Sequence, residues 1–347
     1  MNHSAARIIL NERTFTLVEF VEFQCVEDWL MPIQRMVSFA LNNDPHYTFY
    51  TSGSTGNPKP ITHIRNVLVS SAVATLEYFS LAPGQRVLLA LPAQYIGGAM
   101  MVLRACLGGL ELVLQQPSGC PQIPKDIDFL PLTPAQYMAV DRAQGWKDFR
   151  GTVLLGGSAV PGSYDFPVDN FSVFIGYGMT ETASHVALRR IGDTVYQGVG
   201  STRFSVDDQN QLILSAPHLG IEKLATEDLV EIIGPTTFKY LGRSGWVINS
   251  GGVKIHPTQW ESRLQKQGII AFVVPFPDDH FGHIPILVAL TKEHLSGWPL
   301  VKKDWSGIRP KRAALITEVP TLTQGKVDRS ALAAWVKSHP DRLFPLE

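Results

Sequence analysis

Short apolar runs separated by turn residues dominate the first 240 positions of the chain. Four of them have the length of buried strands, at residues 87–91, 110–114, 152–155 and 172–175. Four segments of helical length accompany them, at residues 29–41, 65–79, 97–107 and 134–141. In the first of these, Leu30, Ile33, Val37 and Leu41 recur at helical spacing. Strands that alternate with helices predict an α/β fold with a parallel-rich sheet.

The pattern changes after residue 210. A strand-rich stretch at residues 211–240 ends at the sequence GRSG, residues 242–245. Apolar and polar residues then alternate near 271–274, 286–290 and 313–317, and a helix containing residues 331–336 closes the chain. We therefore predict a large domain at residues 1–242 and a small α+β domain at residues 243–347.

Composition supports two folded units. Of 347 residues, 45% are hydrophobic and 18% are charged, which excludes a disordered chain, collagen and a coiled coil. The formal net charge of -1 gives no overall attraction to nucleic acid or to an anionic membrane surface, so neither is expected as a partner. The three scattered cysteines indicate a reducing compartment. With no spanning apolar stretch and no leader pattern, we expect a cytoplasmic protein without membrane insertion.

Residues 50–60 read YTSGSTGNPKP, which is the composition of a loop. Hydroxyl groups and backbone N–H groups packed around glycines can face phosphate oxygens, and Lys59 adds a positive charge. The spacing is not that of a Walker A loop. Taken alone, the segment is compatible with a phosphate-binding loop and with an ordinary polar surface turn.

This loop resembles the signature loop of the adenylate-forming enzymes, the superfamily of acyl-CoA synthetases, adenylation domains and luciferases. Further segments follow in the order of that family: LLGGSAV at 154–160, GYGMTETASH at 176–185, TEDLVEI at 226–232, GRSGWVINSGGVKI at 242–255 and TLTQGKVDR at 321–329. The resemblance implies a large nucleotide-binding domain with a shortened N-terminus and a small mobile domain. It also implies that the protein activates a small-molecule carboxylic acid with ATP and Mg²⁺ and then transfers the acyl group to coenzyme A.

The resemblance assigns the nucleotide site residue by residue. Tyr177 would stack on adenine, Thr180 would reach the α-phosphate, and Glu181 would be the Mg²⁺ ligand. Asp228 would accept from the ribose hydroxyls, with Arg243 beside it. The full nucleotide set comprises Thr51, Ser52, Gly53, Ser54, Thr55, Gly56, Lys59, Gly156, Gly157, Ser158, Tyr177, Gly178, Asp228 and Arg243.

The same resemblance gives roles to the small domain. Lys326 would be the catalytic lysine that meets the carboxylate and the α-phosphate, together with Thr180 and Glu181. After rotation of the domain, Gly251, Gly252 and Lys254 would line the path of coenzyme A. The hinge departs from the family pattern, because Gly245 stands where an aspartate or lysine is usual.

The acid is suggested by a narrower resemblance. The early position of the signature loop, the sequence TEDLVEI and the sequence INSGGVKI resemble the o-succinylbenzoate-CoA ligases of menaquinone biosynthesis. The acyl pocket would be formed by Tyr95, Arg104, Thr133, Gln136 and Met179. A buried arginine suits the second carboxylate of o-succinylbenzoate, although Arg104 is also compatible with a surface position or with pairing to Glu111.

Three alternatives remain open at this point. They are a ligase for another arylcarboxylate, a stand-alone adenylation enzyme that loads a carrier protein, and a non-catalytic nucleotide-binding module. A homo-oligomer is compatible with the sequence. His280 and His283 have the spacing of a metal pair, but the segment that contains them is interpreted as a loop.

Overall fold

A computed structural model of the chain describes residues 4–51, 59–158, 160, 170–301, 308–321 and 327–346. The helices are α1 Leu17–Glu22, α2 Met31–Leu41, α3 Arg65–Tyr78, α4 Ile96–Gly108, α5 Pro134–Ala143, α6 Pro257–Gln265, α7 Trp298–Val301 and α8 Arg329–Ser338. The strands are β1 Arg7–Leu10, β2 Arg13–Phe15, β3 His46–Thr51, β4 Lys59–Ile64, β5 Arg86–Leu89, β6 Glu111–Leu114, β7 Phe129–Leu132, β8 Thr152–Leu155, β9 Ser172–Gly178, β10 His185–Arg190, β11 Val195–Gly198, β12 Arg203–Val206, β13 Gln211–Ala216, β14 Ile221–Gly234, β15 Thr237–Arg243, β16 Ile248–Ser250, β17 Val253–Ile255, β18 Phe272–Asp278, β19 Gly282–Ala289, β20 Arg312–Leu315 and β21 Phe344–Pro345.

A sheet of 13 strands forms the centre of the larger part of the molecule, and we call it the large sheet. Its strand order is β12-β13-β14-β15-β11-β10-β9-β8-β7-β5-β6-β1-β2. The pairs from β1 through β6, β5, β7 and β8 to β9 are all parallel. From β9 onward the pairing is antiparallel. The predicted α/β class is confirmed.

Both faces of the parallel strands are buried, as parallel sheets require. In β5, Val87 and Leu89 join one apolar cluster together with residues of α2, α3 and α4, whereas Leu88 joins the cluster that contains α5. This is why the strands read as continuous apolar runs and not as alternating ones.

The four predicted helices of this region are present, with each end within two residues of the predicted end. Strand β9 runs to Gly178, three residues beyond the predicted run. Three strands were missed, because the sequence pattern indicated no strand before residue 50: β1 and β2 belong to the large sheet, and β3 pairs with β4. The four residues of β1, RIIL, are too short to stand out from a loop.

The small sheet contains β16 to β21, in the order β17-β16-β19-β20-β21 with β18 paired to β19. Helices α6 and α8 both contact β18. The three predicted apolar runs correspond to β18, β19 and β20, and the closing helix is α8. His280 lies in the turn between β18 and β19, but His283 lies within β19, so its interpretation as a loop residue was wrong.

A largely buried ion pair, with 15% of each side chain exposed, joins the two helices of the small sheet. Both guanidinium ends of Arg329, at the start of α8, donate to the carboxylate of Glu261 in α6, one of them at 2.9 Å. Glu261 also accepts the backbone N–H of Val273 at 2.8 Å. The guanidinium group of Arg329 lies 4.8 Å from the ring centre of Trp246, in the turn that follows β15. One arginine therefore links α8, α6 and the turn between the two sheets.

Among the described residues, no helix combines the length and the apolar character needed to cross a bilayer.

We predict that Arg329→Ala lowers the free energy of unfolding by about 3 kcal/mol, because it leaves the carboxylate of Glu261 desolvated and unpaired. Urea unfolding followed by tryptophan fluorescence measures the change. Lys337→Ala, at an exposed position of the same helix, is the matched control and should stay within about 0.5 kcal/mol of the native protein. A loss for Arg329→Ala no larger than that of the control would contradict the prediction.

Candidate active site

Two groups of predicted site residues fall outside the described residues. They are Ser52, Gly53, Ser54, Thr55 and Gly56 of the signature-like loop, and Lys326. Of Thr51 and Lys59 only the backbone is described, and the two residues oppose each other at the end of the β3–β4 pair. Similarly, Thr321 and Val327 form an isolated bridge on either side of residues 322–326.

The predicted adenine and ribose residues lie together at the end of β9 and on the neighbouring strands. The hydroxyl of Tyr177 donates to Oδ2 of Asp228 at 2.6 Å, and Nε of Arg243 donates to Oδ1 of the same carboxylate at 3.0 Å. Asp228 and Arg243 are directly opposite each other on β14 and β15, where side chains interact best across antiparallel strands. Asp228 is 4% exposed, so both carboxylate oxygens depend on these partners.

Tyrosine side chains surround this carboxylate. Burial, followed by the charge of Asp228 and its hydrogen bond, raises the pKa of the Tyr177 hydroxyl far above its usual value. Burial and the same charge also raise the pKa of Tyr240. Both tyrosines are therefore neutral at physiological pH, and the hydroxyl of Tyr177 acts as a donor.

The turn after β9 carries the predicted phosphate residues Thr180 and Glu181. Thr182 is fully buried, and its hydroxyl oxygen accepts the backbone N–H of Met179 at 3.0 Å. This hydrogen bond stabilises the turn. The carbonyl of Thr180 accepts Nε2–H of His63 at 2.7 Å, which connects the turn to β4. Ala183 has a φ of 60°, a left-handed conformation that is uncommon for a residue with a Cβ atom. Glu181 is exposed at this turn.

Gly178 is required by a close approach of the chain. A Cβ atom at this position would lie 2.2 Å from the carbonyl oxygen of Ser184 and 2.6 Å from Cα of His185. Only glycine allows β9 to pass so close to the start of β10. Gly178 therefore lies directly against residues 184 and 185.

The segment that was predicted to line adenine follows β8. The backbone N–H of Gly156 donates to the carbonyl of Leu132 at 3.0 Å, and Gly157 has a φ of +82°. Ser158 is partly exposed. These residues follow the carboxyl end of a parallel strand, which is where ligands bind in open α/β sheets.

Arg104 is buried in the middle of α4, with 1% of its surface exposed. Burial lowers the pKa of Arg104 to about 9. Its Nη2 donates to the hydroxyl of Ser184 at 2.7 Å, and its Nε has no partner. In the described part of the chain no carboxylate lies within 4.0 Å of this guanidinium group. Glu111 faces Arg86 instead, at 3.6 Å, so both the surface position and the Glu111 pairing considered for Arg104 are wrong.

Three residues to which the sequence analysis gave no role extend from Arg104 as a series of hydrogen bonds. Oγ of Ser184 lies 3.3 Å from Nδ1 of His185, and Nε2 of His185 lies 3.2 Å from Oγ1 of Thr75. Desolvation, followed by the charge of Arg104, lowers the pKa of His185 well below its usual value. Ser184 and His185 close the segment GYGMTETASH and could have been suspected from it. Thr75, 110 residues away in α3, gave no signal.

The other predicted acyl-pocket residues are less directly available. Gln136 is 6% exposed, and its amide donates to the carbonyls of Ala90 and Ser118 and accepts from Thr133. Thr133 and Gln136 form the capping box of α5. Tyr95 precedes α4 and is partly exposed. Their contact with the acid stays a prediction.

The predicted coenzyme A residues lie at the β16–β17 turn. Gly251 has a φ of +56°, and a Cβ atom there would lie 2.7 Å from the ring of Phe281. Gly252 has a φ of +85° with open space beside it, and Lys254 is exposed. Gly245 lies in the turn Ser244–Trp246 and has room for a side chain, so neither space nor a positive φ requires glycine at the predicted hinge.

The chain is similar to several known proteins. Residues 8–214 match the family described as AMP-binding enzyme. A relative from Salmonella typhimurium named 2-succinylbenzoate--CoA ligase is 25% identical over 87% of this chain and 70% of its own. A crystal structure of an acyl-CoA synthetase (AMP-forming)/AMP-acid ligase II-like protein from Dyadobacter fermentans is 29% identical, covers 91% of this chain and 96% of that one, and has a TM-score of 0.60. An o-succinylbenzoate CoA synthetase from Bacillus subtilis with its acyl-adenylate shares the fold, with a TM-score of 0.69 at 20% identity over 82% of this chain and 68% of that one.

We predict that Arg104→Met is at least as stable as the native protein without ligands, with a gain of about 1 kcal/mol. The substitution removes a desolvated cation that lacks a counter-ion and keeps an unbranched side chain among apolar neighbours. Urea and thermal unfolding at pH 7 measure it, with Arg190→Met at an exposed position of β10 as the control. A loss of more than about 2 kcal/mol would mean that Arg104 serves the core and not a ligand.

Proposed function

This chain belongs to the AMP-binding enzyme family as an AMP-forming acyl-CoA ligase, and from this premise we propose that its acid substrate is o-succinylbenzoate. The product is then o-succinylbenzoyl-CoA, with AMP and diphosphate released from ATP. This proposal also places the enzyme in menaquinone biosynthesis.

One observation carries the choice of acid: the buried guanidinium group of Arg104 has no carboxylate partner among the described residues. A buried cation without a counter-ion costs several kcal/mol, and retaining it is reasonable if a ligand supplies the charge. o-Succinylbenzoate has two carboxylates, of which only one becomes the thioester. The remaining carboxylate can pair with Arg104 through charge-assisted hydrogen bonds.

The relatives support this choice without fixing it. Five curated relatives with 23 to 25% identity to this chain all carry the name 2-succinylbenzoate--CoA ligase. The Dyadobacter protein, at 29% identity, has a name that specifies no acid.

We assign the nucleotide to the end of β9 and its neighbours. Adenine lies against Tyr177 and the segment from Gly156 to Ser158, and the ribose hydroxyls bind Asp228 beside Arg243. An ionised carboxylate fixed by two partners is a strong acceptor for paired hydroxyls. The loop at residues 51–59 and Thr180 take the phosphates.

The residues present fit a magnesium ion that is held mainly by the nucleotide. The described residues contain no group of three or more metal-binding side chains, which is unlike a protein cage. Mg²⁺ commonly takes one or two carboxylates and completes its shell with phosphate oxygens and water. Glu181 would hold it, and the ion would neutralise charge on the phosphates.

The reaction has two steps in this proposal. The substrate carboxylate attacks the α-phosphorus, and diphosphate leaves; Lys326 stabilises the negative charge that develops there. The small domain then turns, and the coenzyme A thiol passes the turn containing Gly251, Gly252 and Lys254. The thiol sulfur attacks the acyl carbonyl, AMP leaves, and the thiol proton passes to solvent.

The direct test is acid-dependent release of AMP and diphosphate from Mg·ATP, with and without coenzyme A. The panel contains o-succinylbenzoate, benzoate, 4-hydroxybenzoate, salicylate and medium-chain fatty acids, and mass spectrometry detects the thioester. We expect turnover that requires both o-succinylbenzoate and coenzyme A. Preference for another acid would reject the proposed substrate. Diphosphate release without a coenzyme A thioester would favour a carrier protein as acceptor.

We predict that Lys326→Ala slows adenylate formation by about 100-fold or more, because a fixed charge at the reacting phosphate is lost. Thioester formation from supplied acyl-adenylate should stay within about twofold of the native rate, because the lysine has then left the site. Lys337→Ala, in the same domain, controls for loss of positive charge. Equal loss in both half-reactions would contradict this division of roles.

We predict that Arg104→Met raises KM for o-succinylbenzoate by about 100-fold, the effect of losing a charged hydrogen-bonded pair. KM for benzoate, which has no second carboxylate, should change by less than about threefold. Steady-state kinetics at saturating ATP and coenzyme A measures both values. An equal rise for the two acids would show that Arg104 does not recognise the second carboxylate.

A further inference from the structure

A chain of hydrogen bonds begins at Arg104 and ends at the backbone of α3. Arg104 Nη2 lies 2.7 Å from Ser184 Oγ, which lies 3.3 Å from Nδ1 of His185. Nε2 of His185 lies 3.2 Å from Thr75 Oγ1, which lies 3.0 Å from the carbonyl oxygen of Ser71. Thr75 and Arg104 are each 1% exposed. Four contacts thus connect α4, the start of β10 and α3.

The two ends of this chain determine the position of every proton in it. A guanidinium group can only donate, so the Ser184 oxygen accepts from Arg104. The Ser71 carbonyl can only accept, so the single proton of the Thr75 hydroxyl points to it. The Thr75 oxygen must then accept from His185, which requires the Nε2–H tautomer. The unprotonated Nδ1 in turn accepts the hydroxyl proton of Ser184.

This polarity matters for Arg104. If Nδ1 of His185 carried a proton, the hydroxyl of Ser184 would lose its acceptor, and a doubly protonated ring would repel the guanidinium group. With Nε2–H, the Ser184 oxygen presents its lone pairs to Nη2 and holds that end of the guanidinium plane. The Nε–H group is then left buried and unpartnered, a state that requires an acceptor from outside the described chain.

We propose that Ser184, His185 and Thr75 are positioning residues that orient Arg104, leaving its Nε–H side free for the unreacted carboxylate of the acid. The assignment rests on the proposed function for the identity of that carboxylate, but the hydrogen-bond polarity does not depend on it. None of the three residues touches the reacting atoms. Their effect is on the affinity for a dicarboxylate and not on the chemical step.

The experiment compares Thr75→Val with a matched control. Valine keeps the shape of threonine but cannot accept from His185 Nε2–H. Thr202→Val is the control, because Thr202 is also fully buried and donates its hydroxyl to a backbone carbonyl, that of Val199, at 2.7 Å. His185→Phe keeps a ring and removes both nitrogens. Far-UV circular dichroism and thermal unfolding confirm that each variant is folded.

The first readout needs no substrate. Long-range ¹⁵N–¹H NMR of histidine-labelled protein at pH 7, with the His185 signal assigned from its absence in His185→Phe, reports which ring nitrogen carries the proton. We expect the Nε2–H tautomer in the native protein and in Thr202→Val, and loss of that preference in Thr75→Val. An Nδ1–H tautomer or an imidazolium in the native protein would overturn the proposal whichever acid is the substrate.

The second readout is kinetic. We expect Thr75→Val and His185→Phe to raise KM for o-succinylbenzoate by about tenfold, the effect of one lost hydrogen bond in a buried network. KM for benzoate, KM for ATP and kcat should stay within about twofold of the native values. Thr75→Val values equal to those of Thr202→Val would overturn the positioning role. If the native enzyme ignores o-succinylbenzoate but has the Nε2–H tautomer, the substrate proposal fails and the hydrogen-bond polarity stands.

Discussion

The positive charge of Arg104, held in an apolar interior, is the constraint on which the predicted acyl pocket depends. Helix α4 is buried from Gly98 to Leu107, and Arg104 lies in the middle of this segment. The cost of desolvating a guanidinium group is several kcal/mol, and one hydrogen bond to Ser184 recovers only part of it. Such a residue weakens the empty protein. In the proposed function, the second carboxylate of the acid supplies the missing negative charge.

The segment from Tyr177 to His185 joins the two halves of the site. At its start Tyr177 contacts Asp228, on the nucleotide side, and at its end Ser184 contacts Arg104, on the acid side. Gly178 allows the two ends to approach within van der Waals distance. One short stretch of chain therefore sets the positions of the groups assigned to both substrates. A shift of this turn would displace the groups assigned to both substrates. The turn is held by hydrogen bonds from Thr182 and His63 and contains Ala183 in a left-handed conformation.

The small sheet is linked to the turn after β15 by charge and aromatic contact. Arg329 lies three residues after Lys326, the position predicted for the catalytic lysine. It pairs with Glu261 and lies over the ring of Trp246. Asp328 caps α8 by accepting the N–H of Ala331 at 2.9 Å. These contacts hold the start of α8 against α6 and the turn after β15.

Local patterns were enough to predict most of the architecture. Buried parallel strands read as continuous apolar runs because both faces are covered, and the helices near residues 65–79 and 97–107 followed from their length and from the turn residues around them. Strand β1 was missed because four residues carry too little periodicity. The motif segments also predicted which residues would meet: Tyr177, Asp228 and Arg243 are separated by 51 and 15 residues along the chain and share one carboxylate.

By itself, the sequence determined the α/β class and the family and predicted a set of nucleotide residues, because these depend on local periodicity and on ordered motifs. It could not decide whether Arg104 was exposed, paired with Glu111 or buried alone, since that depends on what packs around α4. It also could not connect Thr75 with His185, because a hydrogen bond between residues 110 positions apart leaves no periodic trace. Only the tertiary structure decided these points, since burial and charge pairing are properties of neighbours in space.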